Sequence, residues 1–238
     1  MRIAVTGKIR EDVEKLKKQI EKCGHKVVDK NPEVVVSLGG DGSFLFAERK
    51  FPGVLKLPVR NRNICEKPDK LKGILKRIEK KDYSVLEHNK VEAKIIKKDS
   101  TTVKTAVNEV SVRNRDVFHA LRFVVKVNGR KVEEELIGDG IVVSTPFGST
   151  GYFYSVTKTN FKKGLGIAFN NITKDIKPMV LENPVVRLKV VRNMAVVSAD
   201  NDENVVFIDE GDAVELKESK EVARVVELGD SFLSKRVE

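Results

Sequence analysis

The spacing of apolar residues changes near residue 84, and this change constrains the fold more than any other feature of the sequence. Before it, short apolar strands at residues 2–6, 26–28, 33–38 and 54–59 alternate with amphipathic helices at residues 11–23 and 69–80. Strands that alternate with helices predict a parallel sheet covered by helices. Residues 1–83 are therefore predicted to form a Rossmann-like α/β domain with a parallel sheet.

After residue 84 the pattern becomes that of many short strands separated by turn residues. Asn128-Gly129 lies between predicted strands at residues 123–127 and 131–136, which is a strong signal for a two-residue hairpin. Two of the later strands are predicted at residues 214–216 and 222–228. Regular short strands of this kind are typical of a sandwich or a closed sheet. Residues 84–238 are predicted to form a mainly β-sandwich domain that binds a nucleotide, with the last residues either in it or returning to the N-terminal domain.

Charge and composition limit the classes of partner. The formal net charge is +10, but the lysines are interspersed with glutamates on the predicted helices, as expected of solvated faces. With three Tyr and no Trp there is little to stack on bases, so no nucleic-acid partner is predicted. No apolar run reaches about 18 residues and the first residues resemble a strand rather than a leader, so we expect a cytoplasmic protein without a membrane partner.

Gly39-Gly40-Asp41-Gly42 follows an apolar strand and precedes a helix predicted at residues 44–50, with Ser43 as its cap. Glycines at such a junction let backbone amides approach a phosphate at the helix N-terminus. Asp41 in such a loop is suited to bind the Mg²⁺ that accompanies phosphates, or to take a proton from a hydroxyl. The alternative is a plain turn in which Asp41 only caps the backbone.

Two further segments have polar residues in an apolar context. Residues 138–152 combine glycines, hydroxyls and a terminal Tyr152, which suits a polar nucleotide or, alternatively, an ordinary Ser/Thr-rich loop. Asn108-Glu109 interrupts an apolar β pattern, so one of the two side chains is expected to face the core or a cleft unless they lie at a strand end. The three His residues show no metal-ligand spacing, and no metal ligands are assigned.

Together these segments resemble the NAD kinase family in content, order and spacing. The GGDG loop at residues 39–42 is shared with other kinases, whereas GDGxxVSTPxGSTxY at residues 138–152 is the specific motif. The resemblance covers most of the chain, and the chain is identified as a divergent member, with a Lys and Glu content that suits an archaeal or thermophilic source.

The resemblance implies a two-domain kinase that binds NAD in the cleft between its domains and phosphorylates the 2′-hydroxyl of the adenosine ribose. Asp41 is then the base or the residue that orients the metal. Asn108 and Glu109 hold the adenosine half, and Asp139 reaches the nicotinamide half, in a neighbouring subunit of a homodimer or homotetramer. The remaining substrate-binding residues implied are Gly40, Gly42, Thr150, Gly151, Tyr152 and Ser155. Mg²⁺ and ATP, or polyphosphate, are the implied co-reactants of an in-line phosphoryl transfer.

The sequence departs from the family pattern at several positions: residues 58–65 lack the usual glycines, Phe147 replaces a small hydroxyl residue, residues 156–160 lack a Gly-Gly-Pro run, and Asp200-Asn201-Asp202 replaces Asp-Gly-Gln. These departures keep two alternatives open: a related kinase for another hydroxyl substrate, and a dinucleotide-binding homologue without activity. Arg60 and Arg62 are either a clamp for the phosphoryl donor or solvated surface residues.

Overall fold

A computed structural model describes residues 1–59 and 68–228. Arg60 and Arg62 lie outside the described residues. The chain divides into two compact units: the first comprises Met1–His88 and the described residues from Val222 onward, and the second is Asn89–Glu221. The predicted domain boundary at residue 84 stays a prediction. No helix among the described residues is long and apolar enough to cross a membrane.

The first unit is a parallel sheet with helices, as predicted. Its elements are β1 (Arg2–Gly7), α1 (Arg10–Lys22), β2 (Lys26–Val27), β3 (Val34–Leu38), α2 (Asp41–Lys50), β4 (Leu55–Val59), α3 (Pro68–Glu79), the first part of β5 (Ser84–Ile96) and the last part of β17 (Ala213–Glu227). The parallel pairs follow the order β17-β4-β3-β1-β2. This order brings the carboxyl ends of β1 and β3 side by side, with Thr6 opposite Ser37 and Gly7 opposite Leu38.

The helices of this unit form because their apolar residues recur at helical spacing. Val13, Leu16 and Ile20 of α1 are all buried, and Leu71, Leu75 and Ile78 of α3 are buried in the same core cluster as Leu16 and Ile20.

The predicted start of α2, and Ser43 as its cap, are wrong. The helix begins at Asp41 with Gly40 as N-cap and without a side-chain cap. Gly39 (φ +130°) turns the chain sharply, so the helix begins three residues earlier and Ser43 lies buried in its first turn.

The second unit consists of two packed sheets. Its elements are the rest of β5 and β17 with β6 (Thr101–Ala106), β7 (Glu109–Asn114), β8 (Leu121–Val127), β9 (Arg130–Lys131), β10 (Leu136–Gly138), β11 (Gly140–Ser144), α4 (Tyr152–Thr157), β12 (Leu165–Asn170), β13 (Met179–Leu181), β14 (Val186–Arg192), β15 (Ala195–Ala199) and β16 (Val206–Ile208). One sheet is antiparallel in the order β13-β12-β11-β7-β15-β16, and the other contains β10-β8-β14-β17 with β5, β6 and β9. Buried residues from both sheets form one apolar cluster, as expected of a sandwich.

The hairpin prediction is confirmed, and other boundaries are not. Asn128 and Gly129 have φ values of +50° and +81°, as a type I′ turn requires. The strand predicted at residues 131–136 is wrong, because β9 ends at Lys131 and β10 begins at Leu136. The two strands predicted at residues 214–216 and 222–228 form one strand, β17.

Candidate active site

The GGDG loop connects β3 to α2 in the first unit. The Gly39 N–H donates to the Val59 carbonyl at 2.9 Å, which ties the loop to the end of β4. A Cβ on Gly39 would lie 2.5 Å from Ser43 Oγ, so the close turn requires glycine. Asp41 is the first residue of α2 and its side chain is exposed. The loop therefore places the Asp41 carboxylate at a helix N-terminus, where the positive end of the helix dipole lies.

A cleft of about 150 Å³ lies against this loop. It is lined on one side by Gly39, Gly40, Gly42 and Ser43, and on the other by the β1–α1 connection with Lys8. Sites for whole drug-sized ligands are usually larger, about 300–1,000 Å³, so the cleft has room for part of a nucleotide such as its phosphates. Sequence reasoning did not single out Lys8, since a lone lysine after a strand gives no signal of its own.

A buried ion pair fixes α2 to β4. Lys56 on β4 donates to the carboxylate of Glu48 on α2 and, at 2.5 Å, to the Phe51 carbonyl. The other oxygen of Glu48 accepts from the Gly53 N–H at 2.9 Å. Lys56 is 0% exposed and Glu48 is 3% exposed. The pair thus holds one end of the helix that carries Asp41 at its other end.

In the second unit, Asn108 and Glu109 lie where the chain enters β7. The Asn108 carbonyl accepts from the Thr145 N–H at 2.8 Å and from Ser144 Oγ at 3.2 Å, both on the chain leaving β11. Gly148 packs directly against Asn108, since a Cβ there would lie 2.2 Å from the Asn108 carbonyl oxygen. The motif at residues 138–152 and the Asn108-Glu109 pair, which are distant in sequence, therefore pack against each other.

Two acceptors in this structure are buried and have no hydrogen-bond partner among the described residues: Asn108 Oδ1 and Glu109 Oε2. Burial, and then the charge of Asp200, raise the pKa of the Glu109 carboxyl to about 7. Gly151, just before α4, lies close to this carboxyl, since a Cβ there would be 3.9 Å from Glu109 Oε2. Buried polar atoms are normally satisfied, so two unpartnered acceptors on consecutive residues are candidates for contacts with a ligand.

Asp200 also belongs to this site, although no function was predicted for it from the sequence. Its carboxylate accepts hydrogen bonds from the backbone N–H groups of Val107 (2.8 Å), Asn108 (2.7 Å) and Glu109 (3.3 Å). It follows β15, which pairs with β7 so that Ala199 lies opposite Val110. That pairing brings Asp200 to Glu109, and the sequence alone gives no sign of it.

Asp139 and Tyr152 belong to a second group of hydrogen-bonded residues, which is separate from the group around Glu109. Tyr152 OH accepts from Asn170 Nδ2 at 3.1 Å, and the next residue, Asn171, donates to Asp139 Oδ2 at 3.3 Å. The Tyr152 ring lies 5.8 Å from the Arg113 guanidinium.

The strand register separates Asp139 from Glu109. Ser144 lies opposite Glu109 and Gly140 opposite Arg113, so Asp139 is roughly 17 Å along the strands from Glu109 at about 3.3 Å per residue. The structure does not bring these two carboxylates together.

The other predicted residues surround the start of α4, the helix that begins at Tyr152. Thr150 and Gly151 are exposed, with Gly151 as the N-cap. Ser155 Oγ donates to the Tyr152 carbonyl at 2.8 Å, so it has only acceptor capacity left for a ligand. Phe153 and Phe161 anchor α4 by packing over Gly166, where a Cβ would lie 2.3 Å from the Phe161 ring.

Comparison with known proteins identifies the family. The profile of the ATP-NAD kinase C-terminal domain matches residues 107–228, just over half of the 238-residue chain. The chain belongs to the NAD kinase family. The NAD kinase of Sulfurisphaera tokodaii is 30% identical over 174 residues, which cover 70% of this chain and 66% of that relative. The match therefore spans slightly less than two thirds of the relative's length.

Two solved structures share the fold. A yeast NADH kinase complexed with NADH superposes with a TM-score of 0.80 at 16% identity, covering 95% of this chain and 83% of that one. An NAD kinase from Archaeoglobus fulgidus in complex with ATP gives a TM-score of 0.75 at 21% identity, covering 98% and 96%. These likenesses confirm the predicted combination of an α/β part and a β-sandwich part.

All of the predicted site residues of the second unit lie in the range that the family profile matches: Asn108, Glu109, Asp139, Thr150, Gly151, Tyr152 and Ser155. Gly40, Asp41 and Gly42 precede the matched range. For these three, the geometry of the GGDG loop and its cleft is the structural basis of the assignment.

Proposed function

We propose that the protein is an NAD kinase, which transfers a phosphoryl group from ATP to the 2′-hydroxyl of the adenosine ribose of NAD. The observation that carries the proposal is the pair of buried, unpartnered acceptors, Asn108 Oδ1 and Glu109 Oε2, within the residues that match the family profile. Named relatives of this family, and solved neighbours bound to NADH and ATP, support the same substrates.

The acceptors suit a ligand that supplies N–H or O–H donors, as an adenosine does. Ionised Glu109 accepts hydrogen bonds from ribose hydroxyls, while its neutral form has one oxygen that donates instead. With a pKa of about 7 both forms are populated near neutral pH. A donor from the ligand stabilises the ionised form, because it relieves an oxygen that burial has left without a partner.

For the phosphoryl donor we propose the cleft beside the GGDG loop. Helix N-termini attract phosphate oxygens through their backbone amides and dipole, and the lining of the cleft also contains one cation, Lys8, beside one anion, Asp12. Asp41 is proposed to take the proton of the attacking hydroxyl or to orient the metal. Polyphosphate, with the same phosphate chemistry, is the alternative donor.

Mg²⁺ is the proposed metal, and the residues fit a metal that arrives with the nucleotide. No cluster of three or more His, Cys, Asp or Glu occurs in residues 1–59 and 68–228. Mg²⁺ usually takes one or two carboxylates and completes its shell with phosphates and water, so the exposed carboxylate of Asp41 suffices. When bound, the ion neutralises phosphate charge.

Asp139 is proposed to bind the nicotinamide half, because it lies away from Glu109 along the strands, whereas Thr150, Gly151, Tyr152 and Ser155 are proposed to line the nucleotide pocket. At roughly 17 Å, Asp139 could serve either the far end of an extended dinucleotide or a neighbouring subunit. We propose a homodimer or homotetramer in which Asp139 completes a neighbour's site.

A cytoplasmic location is proposed because NAD and ATP are cytoplasmic metabolites.

The test is the reaction itself. Purified protein is incubated with NAD, ATP and Mg²⁺, and NADP is measured with an NADP-specific dehydrogenase, with polyphosphate and NADH as further arms. NADP that forms only when donor, metal and protein are all present supports the proposal. Consumption of ATP without NADP in the presence of other nucleosides would support the related kinase instead, and no turnover with intact NAD binding would support the non-catalytic homologue.

A further inference from the structure

We propose that Asp200 is a positioning residue of the dinucleotide site: its carboxylate sets the place and the charge state of Glu109 and so determines the affinity for NAD. This inference rests on the proposed function, and none of the implied site residues includes Asp200. Asp200 acts through Asn108 and Glu109, whose buried acceptors are the contacts proposed above for the dinucleotide.

The geometry is that of a clamp on three consecutive amides. One carboxylate oxygen of Asp200 accepts from Val107 N–H, and the other accepts from Asn108 and Glu109 N–H. The contact is reciprocal, since the Asp200 N–H donates to the Glu109 carbonyl at 3.0 Å. Three donors on one carboxylate fix the backbone from which both orphaned acceptors project.

The backbone of Asp200 has a conformation that most residues avoid. Its φ is +49°, in the left-handed region that few residues other than glycine adopt. Asp and Asn tolerate this region better than other side chains do, and Asp alone brings two acceptor oxygens. The contacts to the three amides therefore hold a conformation that is otherwise disfavoured.

The charge of Asp200 acts on Glu109, where it adds to the effect of burial in raising the pKa of the carboxyl. Neither β11, in which Ser144 pairs with Glu109, nor α4, which follows Gly151, contains an Asp, Glu, Lys or Arg. Of the other charged groups nearby, Arg113 lies four residues along β7, and Asp202 is engaged at 2.7 Å by Lys104. The buried carboxyl of Glu109 thus titrates under the influence of the same residue that fixes its backbone.

The test replaces Asp200 by Asn, which retains one acceptor oxygen and places an N–H₂ group against backbone donors. Two controls are matched to it. Asp202→Asn removes a neighbouring charge of the same turn, and Ser198→Ala removes the 2.8 Å Ser111–Ser198 hydrogen bond between the same two strands.

We expect Asp200→Asn to weaken NAD binding measured by calorimetry about 10- to 100-fold, because hydrogen bonds to a charged group are lost. We expect kcat at saturating NAD to fall less than about 3-fold, because Asp200 touches neither phosphate nor hydroxyl in this account. The Glu109 carboxyl, followed by ¹³C NMR, should titrate at lower pH in Asp200→Asn, and the amides of residues 107–109 should exchange faster. Both controls should leave all three measurements near their wild-type values.

Two results would overturn the inference: unchanged titration and amide exchange in Asp200→Asn, or a loss of NAD affinity no greater than in Asp202→Asn. The titration and exchange measurements do not depend on activity. If the wild-type protein bound no NAD, the proposed function would fail, while these two measurements would still decide whether Asp200 sets the position and charge of Glu109.

Discussion

The buried ion pair between Glu48 and Lys56 makes a quantitative prediction about stability. Lys56→Met keeps a long side chain but removes the ammonium group that donates to the Glu48 carboxylate, which is 3% exposed. Breaking a buried pair by removing one partner costs about 3–5 kcal/mol. We therefore expect the free energy of unfolding of Lys56→Met to fall by about that amount.

The double variant Glu48→Gln/Lys56→Met separates charge from packing. No buried charge remains in it, and the amide introduced by Glu48→Gln still offers an oxygen to the Gly53 N–H, which Glu48 binds at 2.9 Å. Replacing both members of a buried pair by uncharged groups is often neutral. The double variant should therefore be more stable than Lys56→Met alone by about 2 kcal/mol or more.

The assay is urea unfolding followed by far-UV circular dichroism, because the chain has no Trp to report by fluorescence. The matched control is Lys17→Met, which breaks the 2.9 Å surface pair with Glu14 on α1. That change should cost far less than Lys56→Met does, because the pair on α1 is at the surface. A Lys56→Met cost below about 1 kcal/mol, or a double variant no more stable than the single one, would refute the reasoning.

Two further predictions concern the second unit. Glu109→Gln should stabilise the protein by about 3 kcal/mol at pH 8 and by less than about 1 kcal/mol near pH 5. The reason is that the pKa of Glu109 is raised to about 7, so ionisation of this carboxyl destabilises the fold as pH rises. Urea unfolding at both pH values measures the effect, and an equal stabilisation at both would contradict the prediction. Mixing inactive Asp41→Asn and Asp139→Ala chains should restore partial NADP formation if Asp139 serves a neighbouring subunit; hetero-oligomers confirmed by mass spectrometry but without activity would exclude the shared site.

The sequence predicted those features that depend on local periodicity. The stripe of Val13, Leu16 and Ile20 was enough to place α1, and the Asn128-Gly129 pair was enough to place a hairpin. The residue types of the GGDG loop likewise indicated a strand-to-helix turn, because few residues other than glycine adopt the φ of +130° found at Gly39.

Features that depend on tertiary contacts were missed. Strand β17 was predicted as two strands because polar residues interrupt its apolar pattern, yet Lys217 and Glu221 pair with Glu92 and Lys90 of β5 at 3.3 Å each. Helix α4 has no helical stripe in its sequence and depends on the packing of Phe153 over Gly166. The role of Asp200 arises only when β15 pairs with β7.

The central claim is that the GGDG carboxylate serves phosphoryl transfer to NAD, and Asp41→Asn tests it most directly. The amide preserves shape at an exposed helix start, so circular dichroism should be unchanged, and the loss of one charge from the first turn should cost less than about 1 kcal/mol of urea stability. Since an amide neither accepts the proton nor binds Mg²⁺ as a carboxylate does, NADP formation from NAD and ATP should fall by about 10²–10⁴. A folded Asp41→Asn protein that forms NADP at a near-normal rate would contradict the account and leave Asp41 as a turn residue only.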